Sequence, residues 1–132
     1  MTNEDMDTLP LPHYGENELI YQNKYKTLEY KPIGTTEYVQ FNGLSYNTIW
    51  SIGCPLKCSY CSNTKFIEND PGYRKIRYSS VQHIIDEVLH AKKVHPHINT
   101  VIFHDDSFMA LPIRVLKEFA DAWKEQVGLA FL

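Results

Sequence analysis

All three cysteines of this chain lie in one stretch of eight residues, from Cys54 to Cys61, at the spacing C-x-x-x-C-x-x-C. Thiolates grouped this closely favour a soft metal, so zinc and iron–sulfur are the two candidates. Structural zinc takes four ligands, and the fourth would have to be a histidine such as His83 or His104. A 4Fe–4S cluster on three thiolates instead leaves one iron open to a substrate. The spacing predicts a metal centre and leaves its kind open.

The segments around the cysteine loop alternate between strand and helix patterns. A strand leads into the loop through Gly53, a residue that tolerates positive φ. The long polar stretch over 62–77 behind it predicts a loop that is either functional or disordered. Ser79 or Ser80 then caps an amphipathic helix, and Ser79 with Gln82 fits a capping box. The predicted order is strand, helix, strand, helix, strand, over 47–52, 79–95, 100–103, 112–128 and 129–132. This order is typical of a parallel sheet with right-handed crossovers.

The first quarter of the chain has a weaker pattern, and we expect an irregular, extended segment over 1–34. Within it we expect two local features, a disordered polar tail and a short helix, over 1–7 and 18–28. A hairpin should follow, because a strand pattern over 36–41 runs into Asn42-Gly43, the preferred dipeptide of a type I′ turn.

Together these elements predict an α/β fold, a partial parallel (β/α) barrel of the TIM type that is truncated after about its third strand. Residues 35–132 would form this incomplete core domain. Ligands bind at the carboxyl ends of the strands in such folds, which is where the cysteine loop falls. Since a parallel strand needs neighbours and covered faces, we expect the chain to be the front part of a longer protein.

The composition of the chain argues against several classes of function. The net charge of −3 argues against a dedicated nucleic-acid binder, and no apolar run is long enough to span a membrane. The acidic N-terminus is unlike a signal peptide, and three closely spaced cysteines are unlike a secreted disulfide framework. We therefore expect a cytoplasmic protein that binds neither nucleic acid nor membrane.

The motif Cys54-x-x-x-Cys58-x-Tyr60-Cys61, placed after a strand, resembles the cluster loop of the radical S-adenosylmethionine (radical SAM) enzymes. The aromatic residue before the last cysteine is part of that family's pattern, and the resemblance covers about 45–132. Three parts are especially similar to the branch whose members often carry a cobalamin-binding domain ahead of the radical domain: residues 52–62, Arg74 with Arg77, and residues 103–108. For that branch, cobalamin would be a further cofactor of the full-length protein.

The resemblance implies a function as well as a fold. Cys54, Cys58 and Cys61 would hold three irons of a 4Fe–4S cluster, and the fourth iron would bind the amino and carboxylate groups of S-adenosylmethionine. An electron from a flavodoxin- or ferredoxin-like reductant would cleave the sulfonium C–S bond. The products are methionine and a 5′-deoxyadenosyl radical, which abstracts a hydrogen atom from a substrate that the sequence does not identify.

Three further residues follow from the resemblance as cofactor contacts. Tyr60 would lie beside the adenine. Asp105 and Asp106 stand where the family commonly has a Gly-Gly-Glu run that meets the methionyl amine, and this chain departs from that run. No side chain is assigned a catalytic role, and we do not expect the isolated chain to turn over substrate. The alternative is a non-catalytic zinc or iron–sulfur binding module, or an inactive remnant.

Overall fold

The structure, a computed structural model, describes residues 3–13, 19–22, 27–30 and 44–132. Near the N-terminus it has helix α1 (Asn3–Asp7) and an antiparallel pair of strands, β1 (Leu19–Gln22) and β2 (Thr27–Tyr30). The predicted disordered tail and the predicted helix over 18–28 are therefore wrong. The predicted strand and hairpin turn, over 36–41 and Asn42-Gly43, lie outside the described residues.

Helix α1 is held by contacts to a distant part of the chain. Met6 is buried, with 5% of its surface exposed. The Asp7 carboxylate accepts a hydrogen bond from the Ser80 N–H at 2.6 Å, and the Asn3 side chain accepts one from the Tyr78 N–H at 3.2 Å. A five-residue helix is not stable in isolation. Its order depends on these tertiary contacts, which a local sequence pattern does not contain.

The remaining helices and strands follow the cysteine-containing half of the chain. They are β3 (Ser45–Thr48), β4 (Ser51–Ile52), α2 (Asn63–Asn69), β5 (Arg77–Tyr78), α3 (Val81–Val94), β6 (Thr100–Phe103), α4 (Ile113–Ala122) and β7 (Ala130–Phe131). Short 3₁₀ turns cover Pro71–Arg74 and Phe108–Ala110, and a π-helical turn continues α4 over Trp123–Val127. Gly128 ends that turn at φ +64°, as expected from its position.

Strands β3, β6 and β7 form a parallel sheet in that order. Ser45 to Thr48 lie opposite Thr100 to Phe103, and β7 pairs with the first half of β6. The predicted alternation of strand and helix is therefore confirmed, and the fold is mixed α/β. Within residues 44–132 this parallel sheet has three strands and does not close into a barrel.

The core lies where α3 and α4 pack on the sheet around Trp50, which is only 1% exposed. The Trp50 ring stacks on Phe119 at a centroid distance of 4.8 Å, and its indole N–H donates to the Ser79 carbonyl at 3.0 Å.

The cap of α3 is Ser80, whose hydroxyl accepts from the His83 N–H at 3.2 Å. Of the two predicted caps, Ser80 is therefore confirmed. The capping box of Ser79 with Gln82 is wrong, because Ser79 is buried beside Trp50. The predicted apolar face is confirmed and includes Val81, Ile84, Ile85 and Val88.

The single strand predicted over 47–52 is interrupted. Strand β3 ends at Thr48, and β4 turns away to pair antiparallel with β5. At the start of β4, the backbone N–H groups of Trp50 and Ser51 donate to the Asp105 carboxylate rather than to a neighbouring strand. A side chain 54 residues away from Ser51 therefore ends the ladder.

The polar stretch after the cysteines is more ordered than a loop. Helix α2 buries Ile67, and its Phe66 ring contacts Tyr73 at a centroid distance of 5.4 Å. Asp70 then accepts from the Gly72 N–H at 2.9 Å and starts the 3₁₀ turn. None of the helices in the described ranges has the length and apolar content needed to cross a bilayer.

Candidate metal centre

The cysteine loop begins at a glycine whose backbone conformation strains any other residue. Gly53 has φ +112°, and a Cβ added there would lie 2.6 Å from the Lys75 carbonyl oxygen and 2.8 Å from that of Tyr73. The next residue, Cys54, donates its N–H to the same Tyr73 carbonyl at 3.0 Å. The loop entrance is thus packed directly against the backbone of the segment that precedes β5.

The rest of the loop is folded by local hydrogen bonds. The Cys61 N–H donates to the Cys58 carbonyl at 3.2 Å, and the Thr64 N–H donates to the Cys61 carbonyl at 3.1 Å. The Thr64 hydroxyl also donates to the Cys58 carbonyl at 2.6 Å. These contacts place Cys58 and Cys61 on one turn that leads into α2.

All three cysteines are free thiols. Cys54 is buried, with 6% of its surface exposed, and Cys58 and Cys61 are half-buried. Across the described ranges, no group of three or more His, Cys, Asp or Glu side chains is arranged to hold a metal ion. The donor chemistry of three thiols in one loop fits a soft metal or an iron–sulfur cluster, whereas their arrangement would have to tighten around either.

The two histidines considered as a fourth zinc ligand belong to no metal-holding group in the described part of the chain. His104 follows β6, and its Nε2 contacts the Asn47 side-chain oxygen at 2.9 Å. His83 lies in the first turn of α3, half-buried. The described surroundings of neither histidine point to a zinc ion.

Tyr60 is the most exposed large side chain of the loop, with 92% of its surface accessible. Leu56 and Phe66 are also more than half exposed nearby in the sequence, and Lys57 is exposed between them. An aromatic ring in water next to a half-buried thiol is available to a planar ligand. Nothing in its described surroundings selects adenine over another partner.

Asp105 lies at the carboxyl end of β6 and binds Trp50 and Ser51 at the start of β4. Its carboxylate accepts from the Trp50 N–H at 2.9 Å, and from the Ser51 N–H and hydroxyl at 2.8 and 2.5 Å. Burial raises the pKa of Asp105 above its usual range, and the hydrogen bonds from Ser51 and Trp50 oppose that shift. The structure thus gives Asp105 a role that the sequence did not predict, joining β6 to the strand before the cysteine loop.

We expect Asp105→Ala to lower the free energy of unfolding by about 2–4 kcal/mol, because it leaves the buried N–H groups of Trp50 and Ser51 without an acceptor. Urea denaturation of the metal-free protein measures this. Asp121→Ala, which removes an exposed carboxylate on α4, is the control and should change stability by no more than about 0.5 kcal/mol. Equal stability of the two variants would contradict the role of Asp105.

Asp106 is exposed and faces the cysteine loop itself. One oxygen accepts from the Asn63 side chain at 3.0 Å, and the other accepts from the Gly53 N–H at 3.4 Å and from the Tyr73 hydroxyl. These three donors come from the start of the loop, from the helix behind it and from the 3₁₀ turn. The sequence indicated Asp106 through its place at the end of the second strand, but it did not predict these three donors.

Burial, and then donation to Asp106, raise the pKa of Tyr73 from its ordinary value of 10.0 to about 12. Because this pKa is higher in the folded than in the unfolded chain, the stability that it contributes is complete below pH 10 and is lost as the pH rises toward 12. We expect the ultraviolet tyrosinate titration of the metal-free protein to lose a component near pH 12 in Tyr73→Phe. A lost component near pH 10 would show that Tyr73 lacks this environment.

Two arginines of the resemblance lie beside the loop. Arg74 donates to the Pro55 carbonyl at 3.3 Å. Arg77 pairs with Ile52 across β4 and β5, and its Nε is buried without a hydrogen-bond partner. Of the two, the Arg74 guanidinium contacts the cysteine-loop backbone directly.

Comparison with known proteins gives no family. No protein-family model, no curated protein and no solved structure matches this chain. The residues that sequence reasoning missed, Asn63 and Tyr73, lie in the polar stretch that was predicted as a loop, and no local pattern distinguished them.

Proposed function

We propose that this chain carries the cofactor site of a radical SAM enzyme, with Cys54, Cys58 and Cys61 as the ligands of a 4Fe–4S cluster. The observation that carries the proposal is the position of the three free thiols. They follow the first strand of a parallel sheet, and the loop is tied to the carboxyl end of β6 through Asp106. This is the edge of α/β sheets where ligands bind.

The three thiols suit this cofactor better than they suit zinc. Three cysteine ligands leave one iron of a 4Fe–4S cluster for the amino and carboxylate groups of S-adenosylmethionine. When bound, the reduced cluster supplies the electron that splits S-adenosylmethionine into methionine and a 5′-deoxyadenosyl radical. The protein contributes the loop that holds the ligands and, at Tyr60, an exposed ring that can lie against the adenine.

Asp105 and Asp106 remain proposed contacts of the methionyl amine. Each already accepts hydrogen bonds from the protein, but a carboxylate offers about four lone-pair sites. Asp106 is the more accessible of the two, since it is exposed whereas Asp105 is half-buried. An ammonium group could therefore share the Asp106 carboxylate with its protein donors.

The wider context of the site is also proposed. The three-stranded parallel sheet would be the first part of a (β/α) barrel, whose further strands would hold the rest of the cofactor and the substrate. The reductant would be a flavodoxin- or ferredoxin-like protein in the cytoplasm, and cobalamin would be an additional cofactor of a longer protein. The substrate and the type of radical reaction stay open.

The test is electron paramagnetic resonance of the reconstituted, reduced protein, recorded with and without S-adenosylmethionine. We expect a 4Fe–4S signal whose shape changes when S-adenosylmethionine binds the open iron, and no cluster signal in Cys58→Ala. A colourless protein that binds about one zinc through the same thiols would contradict the proposal and favour a structural module.

A further inference from the structure

We propose that Asp106 is a positioning residue that holds the two ends of the cysteine loop in register, an inference that rests on the proposed cluster site. The loop enters at Gly53 and leaves into α2 at Asn63. Asp106 accepts a hydrogen bond from each of these two residues, at 3.4 and 3.0 Å. One carboxylate therefore joins the entrance and the exit of the segment that contains all three thiols.

We call Asp106 with its three donors, Gly53, Asn63 and Tyr73, the clamp. The third donor, Tyr73, connects the clamp to the 3₁₀ turn before β5. Tyr73 donates its hydroxyl to Asp106, and its carbonyl accepts the Cys54 N–H at 3.0 Å. Tyr73 thus contacts the clamp through its side chain and the first cysteine through its backbone. Loss of the carboxylate would release the loop entrance, the loop exit and the residue that holds Cys54 at the same time.

The chemistry favours a carboxylate in this role. Hydrogen bonds to an ionised acceptor are about twice as strong as neutral ones, and one acceptor with several lone pairs can bind three donors from different segments. Asp106 itself follows β6, whose backbone is fixed in the parallel sheet. The hydrogen bonds of Asp106 therefore attach the cysteine loop to the parallel sheet. The loop needs this attachment because it has few buried side chains other than Cys54.

The inference can be tested on the metal-free protein by alkylation with iodoacetamide, followed by mass spectrometry of the cysteine-containing peptides. In the wild type, buried Cys54 should react more slowly than half-buried Cys58 and Cys61. Asp106→Ala should raise the rate at Cys54, relative to Cys58 and Cys61, by about tenfold, since it removes hydrogen bonds to a charged group. Asp121→Ala is the matched control and should leave the ratio unchanged.

Two single-contact variants cover the case in which Asp106→Ala does not fold. Tyr73→Phe and Asn63→Ala each remove one donor to Asp106, and each should raise the relative Cys54 rate by a smaller factor. Circular dichroism confirms that the variants compared are folded. An unchanged Cys54 ratio in all folded variants would overturn the clamp.

A second readout uses the reconstituted protein. The cluster of Asp106→Ala or of the single-contact variants should be lost to an iron chelator several-fold faster than that of the wild type or Asp121→Ala, with an altered paramagnetic resonance line shape. Wild-type rates and line shape in the Asp106 and single-contact variants would overturn the inference. A wild type that assembles no cluster would instead overturn the proposed function, and the alkylation ratios would still decide whether the clamp exists.

Discussion

Cys58→Ala should abolish assembly of the iron–sulfur cluster, lowering the iron content after anaerobic reconstitution from about four atoms per chain to near zero. The physical reason is the size of the ligand set. The chain has three cysteines, and all three are needed to hold three irons while the fourth stays open. Loss of one thiolate removes a ligand that no other cysteine in the sequence can replace.

The control for this prediction is Ser59→Ala, which changes an exposed neighbour in the same loop and should leave the iron content at the wild-type level. Iron and sulfide analysis, together with visible absorbance, measures both variants. The metal-free Cys58→Ala protein should keep its stability within about 1 kcal/mol, because Cys58 is half-buried and free. Full iron content in Cys58→Ala would show that this thiol is not a ligand.

Gly53→Ala should be the most damaging substitution to the loop itself, lowering the free energy of unfolding by about 3 kcal/mol or more. Two costs add. The backbone at φ +112° strains any residue with a Cβ, and that Cβ would lie 2.6 Å from the Lys75 carbonyl oxygen. Since the nearest atoms are backbone atoms of Tyr73 and Lys75, no side-chain rotation relieves the clash. The loop entrance must shift, and reconstitution of the cluster should fall with it.

Gly128→Ala separates these two costs. Gly128 also has positive φ, at +64°, but a Cβ there would meet nothing within 4 Å. Gly128→Ala should therefore lower the free energy of unfolding by about 1 kcal/mol, which is the cost of backbone strain without a steric clash. Urea denaturation of both variants measures the difference. Equal destabilisation of the two would mean that the close approach of Tyr73 and Lys75 to Gly53 is absent.

The helices and strands that were predicted correctly are determined by the sequence pattern of their own residues. The buried face of α3 recurs at helical spacing, and the apolar run of β6 lies between polar residues, so both were readable from the sequence. Helix α1 was missed because its order depends on contacts of Asn3 and Asp7 with residues more than 70 positions away. The break between β3 and β4 was missed for the same reason, since its cause is Asp105.

In the candidate site, too, some features could be predicted from the local sequence and others depend on contacts between distant segments. The cysteine spacing and the glycine before it are visible in the sequence, and the structure places them beside the carboxyl end of β6 as the strand order suggested. The contacts of Asp106 with Asn63 and Tyr73 depend on how three segments meet in space. The sequence could therefore indicate which residues carry the chemistry, but not which residues hold them in place.

The measurement that tests the central claim most directly is the iron, sulfide and zinc content of protein reconstituted anaerobically with all three available. The account predicts a brown protein with about four irons and four sulfides per chain and little zinc. A colourless protein with about one zinc per chain, lost in Cys58→Ala, would contradict it.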